Sequence, residues 1–293
     1  MERDGDGDGQ EEVCFENLDR VPLFAVRNAP EETLLLWCFQ QPTAARHNAF
    51  VQQESLRFTI SAAGYDILIH QAPSSMQKPG VTGAVVWDSA VILTKFLEHA
   101  VDSGTLELQG KKCVELGAGC GLAGCVAALL GARVILTDLP DRLRLLQKNV
   151  DENVSCFAAR GSACVRELSW GDEIDNEVID PSPDYVIASD VIYNEKAVQD
   201  LLDTLEKLCD SKTLVIIAGE LRNDAVLEYF LERALHRFSI GRLATNFWHP
   251  SYKSQRVVLY ALTRISKKFD GDIRPLGIYG CDHTESCNYV QEI

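Results

Sequence analysis

No stretch of this sequence is apolar for long enough to cross a bilayer: the longest, Gly121 to Ala132, falls short of the about 20 residues a membrane helix needs. Basic excess is missing too. Asp and Glu number 43 against 28 Lys and Arg, a formal net charge of −15, so the surface repels phosphate backbones and nucleic acid is a poor partner. Lys267 and Lys268 are too few to make a basic patch. The N-terminus, M-E-R-D-G-D-G-D-G-Q-E-E, lacks the basic and apolar regions of a secretion signal. The 10 cysteines show no regular framework, and they lie in apolar or Gly/Ala-rich stretches as small core residues of a reducing compartment do. Cys281-Asp282-His283-Thr284-Glu285-Ser286-Cys287 offers metal-ligand residue types without a C-x-x-C pair, so no metal site is expected. The 6 scattered histidines supply no Ser/His/Asp triad. These absences leave a soluble monomer, expected in the cytoplasm with the nucleus as the alternative, without membrane or nucleic-acid partners.

What is present divides the chain into four. Residues 1–20 are an acidic, Gly/Asp-rich segment with little to bury, expected to be disordered. Residues 21–80 are an extension in which Leu34–Phe39 fits either a helix or a strand, followed by a hairpin of Leu56–Ile60 and Tyr65–His70. Residues 81–265 form the main domain, and 266–293 a polar tail without period. The main domain opens on a helical pattern over Gly83–Ala100, with Val86, Ala90, Leu93, Phe96 and Leu97 on one face. Strands and helices then alternate: strands at Lys112–Leu116, Arg133–Thr137, Ser162–Leu168, Asp184–Ala188 and Thr213–Ala218, helices at Leu122–Leu130, Arg142–Val150, Glu195–Cys209 and Asp224–Arg237. This alternation means right-handed crossovers and a mostly parallel sheet with helices on both faces. Phe238–Leu243 and Arg256–Thr263 have no helix between them, so the sheet closes with an antiparallel hairpin. His249, before Pro250, sits in that hairpin's loop, where a turn or a substrate contact explains it equally.

The chemistry centres on Glu115-Leu116-Gly117-Ala118-Gly119-Cys120-Gly121, a glycine turn between a strand and a helix. Glycine lets the backbone turn tightly and approach a ligand, and the helix N–H groups face the same way. Asp138 ends the next strand, about 20 residues on, where a carboxylate accepts ribose hydroxyls. Gly119-x-Gly121-x-x-Gly124 with Asp138 also satisfies the dinucleotide fingerprint. Against a dinucleotide stands Glu115, which would repel a pyrophosphate but suits a ligand carrying an amino group and a sulfonium. The antiparallel ending points the same way.

The glycine turn, Thr137-Asp138-Leu139, Asp190-Val191-Ile192-Tyr193 and Val85-Val86-Trp87-Asp88 together resemble the seven-β-strand methyltransferases, and within them methyltransferase family 16. That group contains protein-lysine methyltransferases of chaperones, the valosin-containing ATPase and elongation factors. The resemblance covers roughly Phe58 to Arg264. It implies a Rossmann-like α/β fold with a seven-stranded sheet, S-adenosylmethionine as cofactor, and a protein substrate of the chaperone, ATPase or translation-factor kind. It also implies Trp87 against the cofactor, Gly117, Ala118 and Gly119 in its loop with Glu115 before them, Asp138 on the ribose, Trp170 beside the adenine and Ser189 in contact with it. Asp190 and Tyr193 then lie between cofactor and target lysine, as the catalytic pair.

A carboxylate and an aromatic hydroxyl suit this task. A lysine amine is protonated in water, and a desolvating cleft must favour its neutral form and aim it. The alternative to this acceptor role is an N-cap at Asp190 for the helix at Glu195, with Tyr193 a packed turn residue. Val191-Ile192 replaces the Pro-Pro of nucleic-acid N-methylating enzymes. Glu220 and Arg222 follow the next strand on the same rim, where an ion pair shaping the substrate cleft and a surface salt bridge are equal alternatives. Three other readings stand open: another acceptor such as histidine or a small molecule, a non-catalytic cofactor-binding scaffold, and a dehydrogenase.

Overall fold

A computed structural model describes residues 12–13, 15, 18, 21–42, 48–77, 82–155 and 160–265. Five parallel strands make its centre: β5 (Lys112–Leu116), β6 (Arg133–Asp138), β7 (Ser162–Glu167), β8 (Tyr185–Ser189) and β9 (Leu214–Glu220). Beside β9 lies β11 (Val257–Arg264), antiparallel, and then β10 (Phe238–Leu243). These are the seven expected strands, closed by the expected hairpin. Two short strands, β1 (Glu12–Val13) ahead of the N-terminal extension and β2 (Leu23–Val26) within it, continue the sheet past β10, giving nine among the described residues in the order β1-β2-β10-β11-β9-β8-β5-β6-β7. The ordered fold therefore begins inside the segment expected to be disordered, with Phe15 and Leu18 buried. The rest of that segment, the 266–293 tail and its Cys281–Cys287 stretch lie outside the described residues.

Alternate residues of each central strand enter different cores, which is why the strands read as unbroken apolar runs. Cys113, Val134, Ile187, Ile216 and Leu259 pack with α2 (Asp88–Asp102), α3 (Leu122–Leu129) and α4 (Leu143–Val150). Val114, Ile135, Val186, Ile217 and Val258 pack with α1 (Ala29–Gln40), α6 (Glu195–Leu208) and α7 (Asp224–Leu235), with the short α5 (Asn176–Ile179) at the margin. A sheet covered on both faces leaves its strand ends for binding. The order reverses between β5 and β8, so the crevice beyond their C-terminal ends is the ligand position of this topology.

The extension does structural work. Its ambiguous apolar patch is helix α1, started by Asn28, whose side chain accepts from the Glu31 N–H at 2.9 Å, and by Pro30 in the first turn. Helix α1 buries Glu32, whose Oε1 accepts from Arg242 Nε of β10 at 2.8 Å and from the Tyr260 hydroxyl of β11 at 3.2 Å. The hairpin of β3 (Arg57–Ala62) and β4 (Tyr65–His70) is a separate sheet. Two buried asparagines pair with the free edge of β4 in place of a further strand. Asn149 accepts from the His70 N–H at 2.8 Å and donates to its carbonyl at 3.1 Å. Asn153 does the same to Leu68, at 2.9 and 2.8 Å.

The helix expected from Gly83 begins only at Asp88. Gly83–Trp87 is instead irregular backbone, held by the Ala72 N–H to Ala84 carbonyl bond (2.8 Å) and the Val86 N–H to Gln71 side chain (2.8 Å). The apolar period continued through it because Ala84, Val85 and Val86 are buried without being helical.

Because Glu32 and Arg242 are only 8% and 10% exposed at the side chain, removing one partner strands a buried charge. Glu32→Ala should lower the free energy of unfolding by about 3–5 kcal/mol, read from urea denaturation. A loss under roughly 1 kcal/mol would show that the pair does not anchor the extension.

Candidate active site

The glycine turn leaves β5 with positive φ at Gly117 (63°), Gly119 (54°) and Gly121 (80°), a region that disfavours side chains. Space forbids them as well. A Cβ on Gly117 would meet the Trp170 ring at 3.0 Å, and one on Gly119 the backbone of Gly83 at 3.2 Å. The turn is pinned by the Ala118 N–H to the Thr137 carbonyl (2.9 Å) and by Asn149, which donates to the Cys120 carbonyl (2.9 Å). One asparagine thus ties the glycine turn to the N-terminal hairpin.

Asp138, at the end of β6, accepts from the Gly119 N–H at 2.6 Å through one carboxylate oxygen and from the Leu139 N–H at 2.7 Å through the other. Burial raises its pKa while these two donors and Arg142 lower it. Each oxygen keeps a lone pair toward the cleft, as a ribose diol requires.

Glu115 is buried at 1% exposure, and its carboxylate accepts from the Gly124 N–H, in the first turn of α3, at 2.9 Å. Gly121, the N-cap, has no side chain to offer, so Glu115 satisfies a helix-terminal donor in its place. Burial pushes its pKa up to about 8 against that hydrogen bond, with the Asp138 charge adding to the rise. At neutral pH Glu115 is therefore largely protonated, and only a cation placed beside it turns it into the counter-ion expected from its position.

Ser189 ends β8, and Asp190 follows with φ 58°, a conformation uncommon for any residue but glycine. The alternative N-cap role for Asp190 is excluded, because Asn194 caps α6, accepting from the Ala197 N–H at 2.8 Å. Instead the Asp190 carboxylate, 8% exposed, sits 2.7 Å from the Arg222 guanidinium and accepts from the Glu220 N–H at 3.3 Å. Burial raises its pKa and Arg222 opposes the rise. Arg222 also pairs with Glu220 at 3.2 Å, and its guanidinium lies 4.1 Å from the centre of the Trp87 ring. Tyr193 is 43% exposed, not a packed turn residue. Its hydroxyl pKa is raised by partial burial and by Asp138, so it stays protonated at neutral pH.

Trp87, Glu115, Gly117, Ala118, Gly119, Asp138, Trp170, Ser189, Asp190 and Tyr193 all line a single cleft, which holds about 1220 Å³ of empty space including its open mouth. Gly83, Val85 and Arg142 line it too and were not anticipated. Gly83 lies flat on Gly119, a role with no local motif, and Arg142 follows the ribose acid by only four residues without marking itself. His249 does not reach the cleft. It packs against His99 and Tyr252 with ring centres 5.9 and 5.1 Å away, in the turn that Pro250 follows.

Glu115 makes a pH signature. Its folded pKa is raised above the ordinary value of 4.5 to about 8, so the folded state holds a proton that the unfolded chain releases. This contribution to stability is complete below pH 4.5, falls as pH rises, and is gone once pH passes about 8. Glu115→Gln should flatten the stability–pH curve over that window, measured by urea midpoints from pH 5 to 9. A curve with the slope of the parent protein would show that Glu115 is not held protonated.

Comparison with known proteins agrees with this geometry. Residues 72–235 match the family model described as lysine methyltransferase. The zebrafish (Danio rerio) protein N-lysine methyltransferase METTL21A is 38% identical over 208 residues, covering 70% of this chain and 85% of that protein. The Mus musculus protein of the same name is 41% identical, covering 63% of this chain and 80% of its own length. EEF1A lysine methyltransferase 3 of Xenopus tropicalis is 33% identical, covering 62% and 75%. The chain belongs to the lysine methyltransferase family and is an S-adenosylmethionine-dependent enzyme.

Proposed function

We propose that Asp190 and Tyr193 receive the side-chain amine of a lysine on a protein substrate and aim it into the cleft floored by the glycine turn. The protein is an S-adenosylmethionine-dependent protein N-methyltransferase. The observation that carries the assignment of residues is the convergence of Asp138, Trp170, Asp190 and Tyr193 on one cleft around glycines where any Cβ would collide.

The residues present fit the cofactor. Gly119 and Gly117 keep the floor open to a close approach, Asp138 offers lone pairs to a ribose, and Trp170, packed on Gly117, offers a flat face to an adenine. Trp87 and Glu115 border the same cleft, where an aromatic face and an ionisable carboxyl suit a positive methionine arm. When bound, S-adenosylmethionine supplies a methyl group activated by its sulfonium. The chain's own contribution is placement. The Asp190 carboxylate, fixed by Arg222 and the Glu220 N–H, accepts a hydrogen bond from the amine and directs its lone pair inward. The neutral Tyr193 hydroxyl supplies a second hydrogen-bonding partner at the mouth.

For the substrate we look first to translation elongation factors, because one relative is named for EEF1A. A net charge of −15 favours a basic or neutral docking surface on that partner. The cysteines Cys38, Cys113, Cys120, Cys125, Cys164 and Cys209 are all free thiols, which supports a reducing compartment, and we place the enzyme in the cytoplasm.

Incubation with tritiated cofactor and cell extract should label proteins on lysine. Label confined to small molecules or to histidine would overturn this reading. Asp190→Ala should reduce transfer by at least about 100-fold while calorimetry shows S-adenosylhomocysteine binding unchanged; retained activity would remove Asp190 from the site. Gly119→Ala should do the reverse, losing cofactor affinity by more than tenfold because a Cβ there meets the Gly83 backbone at 3.2 Å.

A further inference from the structure

A carboxylate beside an amine acceptor creates a difficulty. Asp190 alone would hold a lysine as its ammonium, which has no lone pair to donate. In this structure Asp190 is not alone. Arg222 lies 2.7 Å from its carboxylate, also contacts Glu220, and stacks on Trp87 at the same cleft. Resting on the acceptor-site reading above, we propose that Arg222 sets the protonation state of the acceptor: its fixed positive charge neutralises Asp190 as an anion while leaving it a hydrogen-bond acceptor, so the seat selects the neutral amine.

The surrounding charges make Arg222 the deciding group. In contact with it are Asp190 after β8 and Glu220 on β9, with the uncharged Tyr193 lining the same cleft; Asp88 at the start of α2 and Arg256 just before β11 act on Glu220, and Arg256 on Asp190 as well. Glu220 has a second cation, Arg256, at 3.1 Å. Asp88 is spent on the Ala49 and Phe50 backbone N–H groups. Asp190 has Arg222 and one backbone N–H at 3.3 Å. Removing Arg222 therefore leaves Glu220 partnered and takes from Asp190 the cation in contact with it, with Arg256 acting only through space, so the anion in a desolvated wall would draw in the ammonium. A guanidinium, charged at every relevant pH, is the group able to hold this balance across the range where an amine titrates.

Sinefungin, which carries a primary amine where the cofactor has its methylated sulfur, is a probe that needs no protein substrate. We would measure its affinity relative to S-adenosylhomocysteine by calorimetry from pH 6 to 10. In the parent protein the ratio should shift toward sinefungin as pH rises, because the neutral amine is preferred. Arg222→Gln and Arg222→Met should move the bound amine's titration up by about one unit, a tenfold gain near pH 7 in sinefungin affinity relative to S-adenosylhomocysteine. Arg222→Lys should keep the parent profile. Superimposable profiles for the parent and the uncharged variants, or a parent protein that itself prefers the ammonium, would overturn the proposal. Asp190→Asn separates the two readings. If it leaves sinefungin binding untouched, the acceptor site is misplaced; if it weakens sinefungin while the Arg222 variants change nothing, only the role of Arg222 fails.

Discussion

The cleft depends on the hydrogen bond from the Gly119 N–H to the Asp138 carboxylate, 2.6 Å long, because it brings two consecutive strand ends to bear on one point. It fixes the height of the glycine turn over the sheet and turns the carboxylate toward the space above it. Gly83 then presses on Gly119 from the other side, so closely that a Cβ on either residue would come within 3.1–3.2 Å of the other's backbone. Around this contact the remaining parts take their places. Asn149 holds the Cys120 carbonyl, Trp170 covers Gly117, and the hairpin is tied through the same asparagine. The floor of the active site and the N-terminal hairpin are thus one hydrogen-bonded unit.

The walls are built from buried charge, and each charged group is handled differently. Glu115 is neutralised by a proton, Asp138 is offset by two backbone donors, and Asp190 is offset by a guanidinium. On the function proposed above, the differences follow from the ligand each group would meet. A carboxylate that must accept hydroxyls can be satisfied by fixed N–H groups. One that must receive an amine needs a compensating charge, or it would retain the ammonium. One that meets a positive ligand can wait as the acid, because binding the cation then supplies the driving force for losing the proton.

Local signals were strong where local physics decides. Strand β5 and strand β10 lie where the residue pattern puts them, because a buried strand between turn-forming residues is a short-range property. The glycine turn and Asp138 could be read because a close backbone approach excludes all but glycine. The helix start at Asp88 could not, since Ala84, Val85 and Val86 are buried without being helical. Nor could strand β2, which pairs with β10 more than 200 residues away along the chain, or β1, which pairs with β2.

By itself the sequence determined the α/β alternation, the antiparallel close, the glycine turn and the residues that share its cleft, since each is written in residue types a few positions apart. Only the tertiary structure decided what state those residues are in. Asp190 could have been a helix cap until Asn194 took that place, and Glu115 a free counter-ion until α3 claimed its oxygen. Arg222 could have been a surface charge until the fold laid it between Asp190 and Trp87. The reason is physical: residue type sets what a group can do, whereas burial and the partner brought by distant chain set its charge and direction.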